Sequence, residues 1–101
     1  MKKTVLKILF KAKPDITVST PNLSYREGDN VKVFCDGDAN PPISSFAWKV
    51  NDQQLEGERQ SILEIKDVMR NLNGATVTCQ AKNEIGMTSS KTQLDIKCEY
   101  E

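Results

Sequence analysis

Apolar and polar residues alternate along several short stretches of the chain, which is the pattern of β-strands that bury one face. The alternation is clearest over residues 30–35, 46–50 and 75–81, and shorter strand-like runs lie at 16–18 and 61–68. The residues expected to face inward in the three clearest stretches are Val31, Val33, Cys35, Phe46, Trp48, Val50, Val77, Cys79 and Ala81.

Turn-forming residues separate these stretches. Residues 36–42 are rich in Asp, Gly, Asn and Pro and predict a turn region, as do the segments 71–74 and 83–86. Residues 87–96 then predict one long last strand, and residues 67–72 have room for a single helical turn. About seven short strands at a spacing of roughly 8–12 residues predict an all-β fold, an antiparallel sandwich of two sheets.

The composition argues against catalysis, metal binding and nucleic-acid binding. The chain has 101 residues, which is room for one domain, and its 14 basic residues balance 14 acidic ones, so no net charge attracts nucleic acid or an anionic membrane. Histidine, the commonest general acid–base group and metal ligand, is absent, and three cysteines without a CxxC pair are too few for a structural zinc site. We therefore expect a protein that is not an enzyme and needs no metal or cofactor.

The two ends of the chain resemble each other. Residues 4–13 and 92–101 share Thr, Leu and Ile at matched offsets. This predicts that residues 1–13 are the last strand and linker of a preceding domain of the same kind, and that residues 14–101 form the module itself. The alternative is a chance match of two amphipathic strands. The basic, apolar start imitates a signal peptide, but Lys7 interrupts it, and no segment is long enough to span a membrane.

Cys35 and Cys79 both lie on the inward faces of predicted strands, and Trp48 lies inward between them in the sequence. Two cysteines on facing sheets can reach disulfide geometry, with the indole packed against the bridge. Such a bridge would contribute about 4 kcal/mol in the chain-entropy description, a large share of the stability of a small domain. Two buried free thiols, as in a reducing compartment, are the alternative.

Several motifs together carry a family resemblance. Cys79, Ala81, Asn83 and Gly86 form a Cys-x-Ala-x-Asn-x-x-Gly run, and the sequence Asp-Ala-Asn-Pro-Pro at 38–42 precedes the tryptophan. With the two cysteines and the tryptophan between them, the module resembles an I-set domain of the immunoglobulin superfamily, and finer features resemble nephrin-like adhesion receptors. The resemblance implies an immunoglobulin-like two-sheet sandwich that acts by binding and not by catalysis.

Two positions depart from the family pattern. Val77 stands where the family usually has a tyrosine, so the usual tyrosine-corner hydrogen bond cannot form. Asn73 stands where the family usually has an aspartate, which puts the ion pair of that residue in doubt. Because Val77 keeps the inward apolar role, we expect the corner to be held in another way.

Four residues at predicted surface or junction positions carry further expectations. Asn22 begins the sequence Asn-Leu-Ser, an N-glycosylation signal in a predicted loop or edge strand. Phe34 and Ile62 fall out of phase with the core residues of neighbouring strands and predict an outward apolar contact patch, with ordinary cross-strand packing as the alternative. Cys98 is expected to pack at the junction with a following module, with an intermolecular disulfide or a reactive thiol as the alternative.

The second sheet is expected to present a small polar face that is fit for a partner. Its predicted outward residues are Lys49, Thr76, Thr78 and Gln80.

The resemblance implies a binding module of a multidomain cell-surface adhesion or receptor protein. Its expected partners are other ectodomains and neighbouring immunoglobulin domains of its own chain, with no nucleic acid and no insertion of this segment into a membrane. A disulfide and a glycosylation signal both favour the oxidising, extracellular side. The alternative is a structural spacer in a tandem array, including intracellular muscle or cytoskeletal I-set proteins.

Overall fold

A computed structural model describes residues 11–97 of the chain. The regular structure in this range is almost entirely β, with one 3-10 turn at Arg70–Leu72, where the sequence predicted a helical turn. The strands are β1 (Ala12–Ser19), β2 (Tyr25–Arg26), β3 (Val31–Asn40), β4 (Ser45–Val50), β5 (Gln53–Gln54), β6 (Ile62–Ile65), β7 (Thr76–Lys82), β8 (Met87–Gln93) and β9 (Ile96–Lys97).

The strands form two main sheets. The three-strand sheet has the order β1-β3-β6 and the four-strand sheet has the order β5-β4-β7-β8, and every neighbouring pair in both is antiparallel. The two-residue strands β2 and β9 pair in parallel. This architecture confirms the predicted all-β fold, an immunoglobulin-like antiparallel sandwich of two sheets.

Alternation along the strands builds the core, as the sequence pattern predicts. Val31, Val33 and Cys35 of β3 and Val77 and Cys79 of β7 are all at most 2% exposed. Each large apolar side chain taken out of water contributes about 1.5–3 kcal/mol, which explains why the two apolar faces pack together. The other buried core residues are Ile16, Val18, Tyr25, Trp48, Leu63, Val68, Ala75, Ala81, Leu94 and Ile96.

β3 is longer than the sequence predicts. Of the turn region expected over residues 36–42, residues 36–40 continue the strand and pair with β1. Gly37 pairs with Ile16, and a Cβ atom at Gly37 would lie 2.8 Å from the Ile16 Cα atom. The glycine therefore marks a close approach of two backbones, and the prediction of a turn from Asp36 onward is wrong.

The long last strand predicted over residues 87–96 is divided into β8 and β9. Ile96 pairs in parallel with Tyr25 of β2, and the N–H of Tyr25 donates to the carbonyl of Asp95 at 2.8 Å. The backbone at this point thus bonds to β2 and no longer to β7. The prediction of one continuous strand is wrong because the hydrogen-bond partner of the backbone changes after Leu94, and no residue of this segment signals that change.

Asn73, which stands where the family usually has an aspartate, holds the corner before β7. Its side-chain oxygen accepts the backbone N–H of Ile96 at 2.9 Å, and the N–H of Gly74 donates to the carbonyl of Leu94 at 2.8 Å. Val77 is fully buried in the core. The corner before β7 is therefore held by a loop side chain, that of Asn73.

β1 begins at Ala12, so its first two residues precede the boundary predicted after residue 13. Residues 1–10 and 98–101 lie outside the described residues, and with them Cys98 and most of the end-to-end repeat. The division of the chain at residue 13 stays a prediction.

Candidate functional site

The centre of the sandwich is a disulfide between Cys35 of β3 and Cys79 of β7, with 6.3 Å between the two Cα atoms. It joins the three-strand sheet to the four-strand sheet across a sequence separation of 44. A crosslink that closes a loop of this length restricts the unfolded chain by about 4 kcal/mol. The structure therefore contains the bridge, and not the pair of free thiols that the sequence left open.

Trp48 lies beside the bridge. It is opposite Cys79 in the β4–β7 ladder and is fully buried. Its indole N–H donates to the carbonyl of Gln60 at 2.7 Å, which satisfies the single polar group of the ring. The tryptophan thus fills the core next to the disulfide and fixes the loop that leads into β6.

Carboxylates and thiols do not gather into a metal site in residues 11–97, where no group of three or more such side chains could hold an ion. Asp36 and Asp38 occupy exposed positions of β3. The helices in this range include none long and apolar enough to cross a bilayer.

The three-strand sheet carries the predicted apolar pair on its outer face. Phe34 of β3 lies directly opposite Ile62 of β6, and Lys32 lies opposite Glu64 in the same ladder. Ile62 is 46% exposed, whereas Phe34 is partly buried. The structure brings the two apolar residues together beside a pair of opposite charges.

The outer face of the four-strand sheet is polar and concave. Lys49 of β4, Thr78 of β7 and Lys91 of β8 form one row across the sheet. Gln80 of β7 and Ser89 of β8 lie in the next row, and a depression of about 560 Å³ lies over both rows. We call the surface formed by these five residues the lysine face.

A tight turn closes one end of the lysine face. Asn51 and Asp52 have φ angles of 50° and 67°, the left-handed geometry of a two-residue hairpin turn. The side-chain oxygen of Asn51 accepts the backbone N–H of Thr76 at 2.9 Å, and the N–H of Asn51 donates to the carbonyl of Thr76 at 2.8 Å. These two bonds fix the turn to the start of β7 and hold the floor of the depression in place.

The sequence identified one side of the lysine face and missed the other. Alternation predicts Lys49 and Thr78 as outward residues, but residues 87–96 contain too few apolar side chains to assign Lys91 to a face. The usable signal was the short turn at 83–86, because a hairpin turn fixes the register of the two strands that it joins. That register places Lys91 opposite Thr78.

Asn22, the predicted glycosylation residue, lies in the bend between β1 and β2. It is exposed, and the next residue, Leu23, is 99% exposed. This bend belongs to neither the lysine face nor the Phe34–Ile62 pair. The role of Cys98 stays a prediction, because that residue lies outside the described range.

Residues 13–83 match a family model described as an immunoglobulin domain. The chain belongs to the immunoglobulin domain family. The matched range includes Cys35, Trp48 and Cys79, the three residues at the centre of the sandwich. Domains of this family are in general not catalytic. The I-set is compatible with this match and stays a prediction as a subset.

Two relatives illustrate the similarity in sequence. This immunoglobulin domain is 31% identical to the Irregular chiasm C-roughest protein of Drosophila melanogaster over 70 residues, which cover 69% of this chain and 9% of that protein. It is 33% identical to the NT-3 growth factor receptor of Sus scrofa over 93 residues, which cover 82% of this chain and 11% of that receptor. The chain thus spans about a tenth of the length of these relatives.

Two solved structures illustrate the similarity in fold. The immunoglobulin domain resembles the full ectodomain of mouse nectin-like molecule 4, with a TM-score of 0.74 and 20% identity over 88% of this chain and 32% of that one. It resembles the N-terminal four Ig domains of Dscam1 isoform 4.44, with a TM-score of 0.73 and 19% identity over 85% of this chain and 21% of that one. Both solved structures contain several immunoglobulin domains, and at this identity they show the fold of the domain alone.

Proposed function

We propose that this immunoglobulin domain is a recognition module of a multidomain cell-surface protein, and that its lysine face binds an acidic surface of another ectodomain. The observation that carries the proposal is the row of Lys49, Thr78 and Lys91 across a concave, polar sheet surface. Recognition by such a face needs only complementary shape and charge.

Thr78 lies between two cations, Lys49 on one neighbouring strand and Lys91 on the other. Adjacent strands are about 4.8 Å apart, so the backbones of Lys49 and Lys91 are about 10 Å apart. The ion pairs found within residues 11–97 do not include either lysine. A carboxylate of a partner that docks between them would be attracted by both, and Thr78 and Gln80 offer hydrogen bonds at the floor of the depression. Charge pairs of this kind raise the rate of association and select the partner.

The disulfide supports a location outside the cell, as part of a larger membrane or secreted protein. A bridge such as Cys35–Cys79 forms and persists in oxidising compartments and is rare in the cytosol. One relative is named as a growth factor receptor, which fits the same location. The partners that this location offers are other ectodomains and neighbouring domains of the same chain.

A structural spacer is the second candidate function, and Asn83 favours it. The side chain of Asn83 donates to the carbonyls of Ala12 and Pro41 at 2.7 and 2.9 Å. It therefore fixes the direction in which the chain enters the domain, which a module in a rod of tandem domains requires. A spacer would contact only its neighbours along the chain, in either compartment.

The Phe34–Ile62 pair is the second candidate contact surface. The two side chains lie opposite each other, and Ile62 is 46% exposed. We place this pair after the lysine face because Phe34 is already partly buried and isolated apolar residues are common on the surfaces of monomeric proteins.

The test measures binding of the oxidised 101-residue chain to a panel of cell-surface ectodomains by surface plasmon resonance. Lys49→Glu/Lys91→Glu is compared with Lys11→Glu/Lys66→Glu, which makes the same change in net charge at exposed positions elsewhere. We expect the first variant to lose at least about ten-fold in affinity for any ectodomain that the unaltered chain binds, and the second to change little.

Two other outcomes would overturn this assignment. Binding that survives the lysine substitutions but is lost in Phe34→Thr/Ile62→Thr would move recognition to the three-strand sheet. A folded chain that binds no ectodomain in the panel would favour the spacer.

A further inference from the structure

We propose that Asn22 is the attachment site of an N-linked oligosaccharide. Asn22, Leu23 and Ser24 form the acceptor sequence, which requires a hydroxyl residue two positions after the asparagine. The chain has seven asparagines, and only Asn22 has Ser or Thr at that position. The inference concerns a modification, and it does not depend on the lysine face.

The fold uses the backbone of Asn22 and leaves its side chain to solvent. The N–H of Asn22 lies 3.3 Å from the hydroxyl oxygen of Tyr25, which accepts its hydrogen bond, and the carbonyl of Asn22 accepts the hydroxyl of Thr20 at 2.8 Å. Tyr25 is itself only 6% exposed, so the bend is fixed to the core. An oligosaccharide on the side-chain nitrogen would therefore require no hydrogen bond of the fold to break.

Other asparagines are committed to the fold in a way that Asn22 is not. The side-chain oxygens of four of them each accept a backbone N–H. Asn30 accepts that of Asp67, and Asn51 accepts that of Thr76. Asn73 accepts that of Ile96, and Asn83 accepts that of Ile85.

Leu23 gives a physical reason for a glycan at this bend. At 99% exposure it has the greatest exposure among the large apolar side chains of the described residues. A bulky, hydrated oligosaccharide on the adjacent Asn22 would cover this side chain. Leu23 is about twice as exposed as any other large apolar side chain in residues 11–97, so without the glycan it offers more apolar contact area to a second molecule than those residues do.

The first test expresses the full chain behind a secretory leader in mammalian cells and measures its intact mass before and after treatment with peptide N-glycosidase F. We expect the polypeptide plus one oligosaccharide, which the enzyme removes while it converts Asn22 to aspartate. Asn22→Gln and Ser24→Ala should both abolish the added mass, whereas Ser24→Thr should retain it because threonine also supplies the hydroxyl.

A secreted, disulfide-bonded chain at the mass of the bare polypeptide would overturn the proposal. A variant that is not secreted is translated in vitro with microsomes, where the oligosaccharide is transferred to the unfolded chain, and the same mass comparison is made. Neither result bears on binding by the lysine face, so the two proposals fail separately.

The second test asks whether the glycan shields Leu23 from contact with other molecules. Enzymatic removal of the glycan should increase self-association in sedimentation velocity, and Leu23→Ser should cancel most of the increase. An equal increase in the unaltered chain and in Leu23→Ser would show that the glycan does not shield this side chain.

Discussion

The side-chain nitrogen of Asn83 donates a hydrogen bond to the carbonyl of Ala12, 71 residues earlier in the chain, at 2.7 Å. The same nitrogen donates to the carbonyl of Pro41, and the side-chain oxygen accepts the N–H groups of Ile85 and Gly86. Asn83 is only 1% exposed. One buried side chain therefore joins β1, the β3–β4 connection and the β7–β8 turn.

Asn83→Ala should lower the free energy of unfolding by about 3 kcal/mol, because it leaves several buried backbone groups without partners. Urea denaturation of the oxidised chain measures this loss.

Asn83→Asp is the matched control: it keeps the acceptor for the β7–β8 turn but places a carboxylate against the carbonyls of Ala12 and Pro41. Hydrogen exchange should then be faster in β1 and unchanged in the turn. A loss below about 0.5 kcal/mol in Asn83→Ala would contradict this role.

The corner at Asn73 makes a second prediction. Asn73→Ala should cost about 1 kcal/mol, because the N–H of Ile96 loses its acceptor. Asn73→Asp, which restores the residue usual in the family, should remain within about 0.5 kcal/mol of the unaltered chain, because a carboxylate oxygen also accepts this bond. Thermal unfolding of the two variants side by side gives the comparison. Equal stability of Asn73→Ala and Asn73→Asp would show that the hydrogen bond does not hold the corner.

Gly37 makes a third prediction, with Gly57 as its control. Gly37→Ala should cost about 2 kcal/mol and speed hydrogen exchange in β1, because the added Cβ meets the backbone of Ile16. Gly57 has a positive φ of 85° with nothing within 4 Å of its would-be Cβ, so Gly57→Ala should cost about 1 kcal/mol and leave β1 unchanged. If both variants speed exchange in β1 equally, the close approach at Gly37 is not what holds this strand.

The sequence was sufficient to predict the fold because burial imposes a period of two on each strand. The rule placed Val31, Val33 and Cys35 inward and Phe34 and Ile62 outward. The family resemblance then implied that the strands of Phe34 and Ile62 are neighbours, and the structure pairs the two residues. The class of the domain came from a family resemblance, carried by Cys35, Trp48, Cys79 and the Cys-x-Ala-x-Asn-x-x-Gly run together.

The sequence was insufficient where the role of a residue depends on a contact with a residue far away in the chain. Gly37 was interpreted as a turn residue because its neighbours in the sequence do not show that the backbone of Ile16 packs against it. This close approach leaves no room for a Cβ atom at position 37. The change of partner at Ile96 was missed because Tyr25 and Asn73 bond to the backbone there. Backbone hydrogen bonds leave no pattern of apolar side chains in the sequence. Lys91 was missed because a polar edge strand carries no apolar alternation, and only its register with Thr78 assigns it to the lysine face.

The two sheets are joined by the Cys35–Cys79 disulfide, and we propose on this ground that the domain works in an oxidising, extracellular compartment. The most direct measurement isolates the protein from its natural source under alkylating, non-reducing conditions and maps its cysteines by mass spectrometry after proteolysis. We expect the peptides containing Cys35 and Cys79 to be recovered linked to each other. Recovery of both peptides in the alkylated form without prior reduction would contradict this proposal.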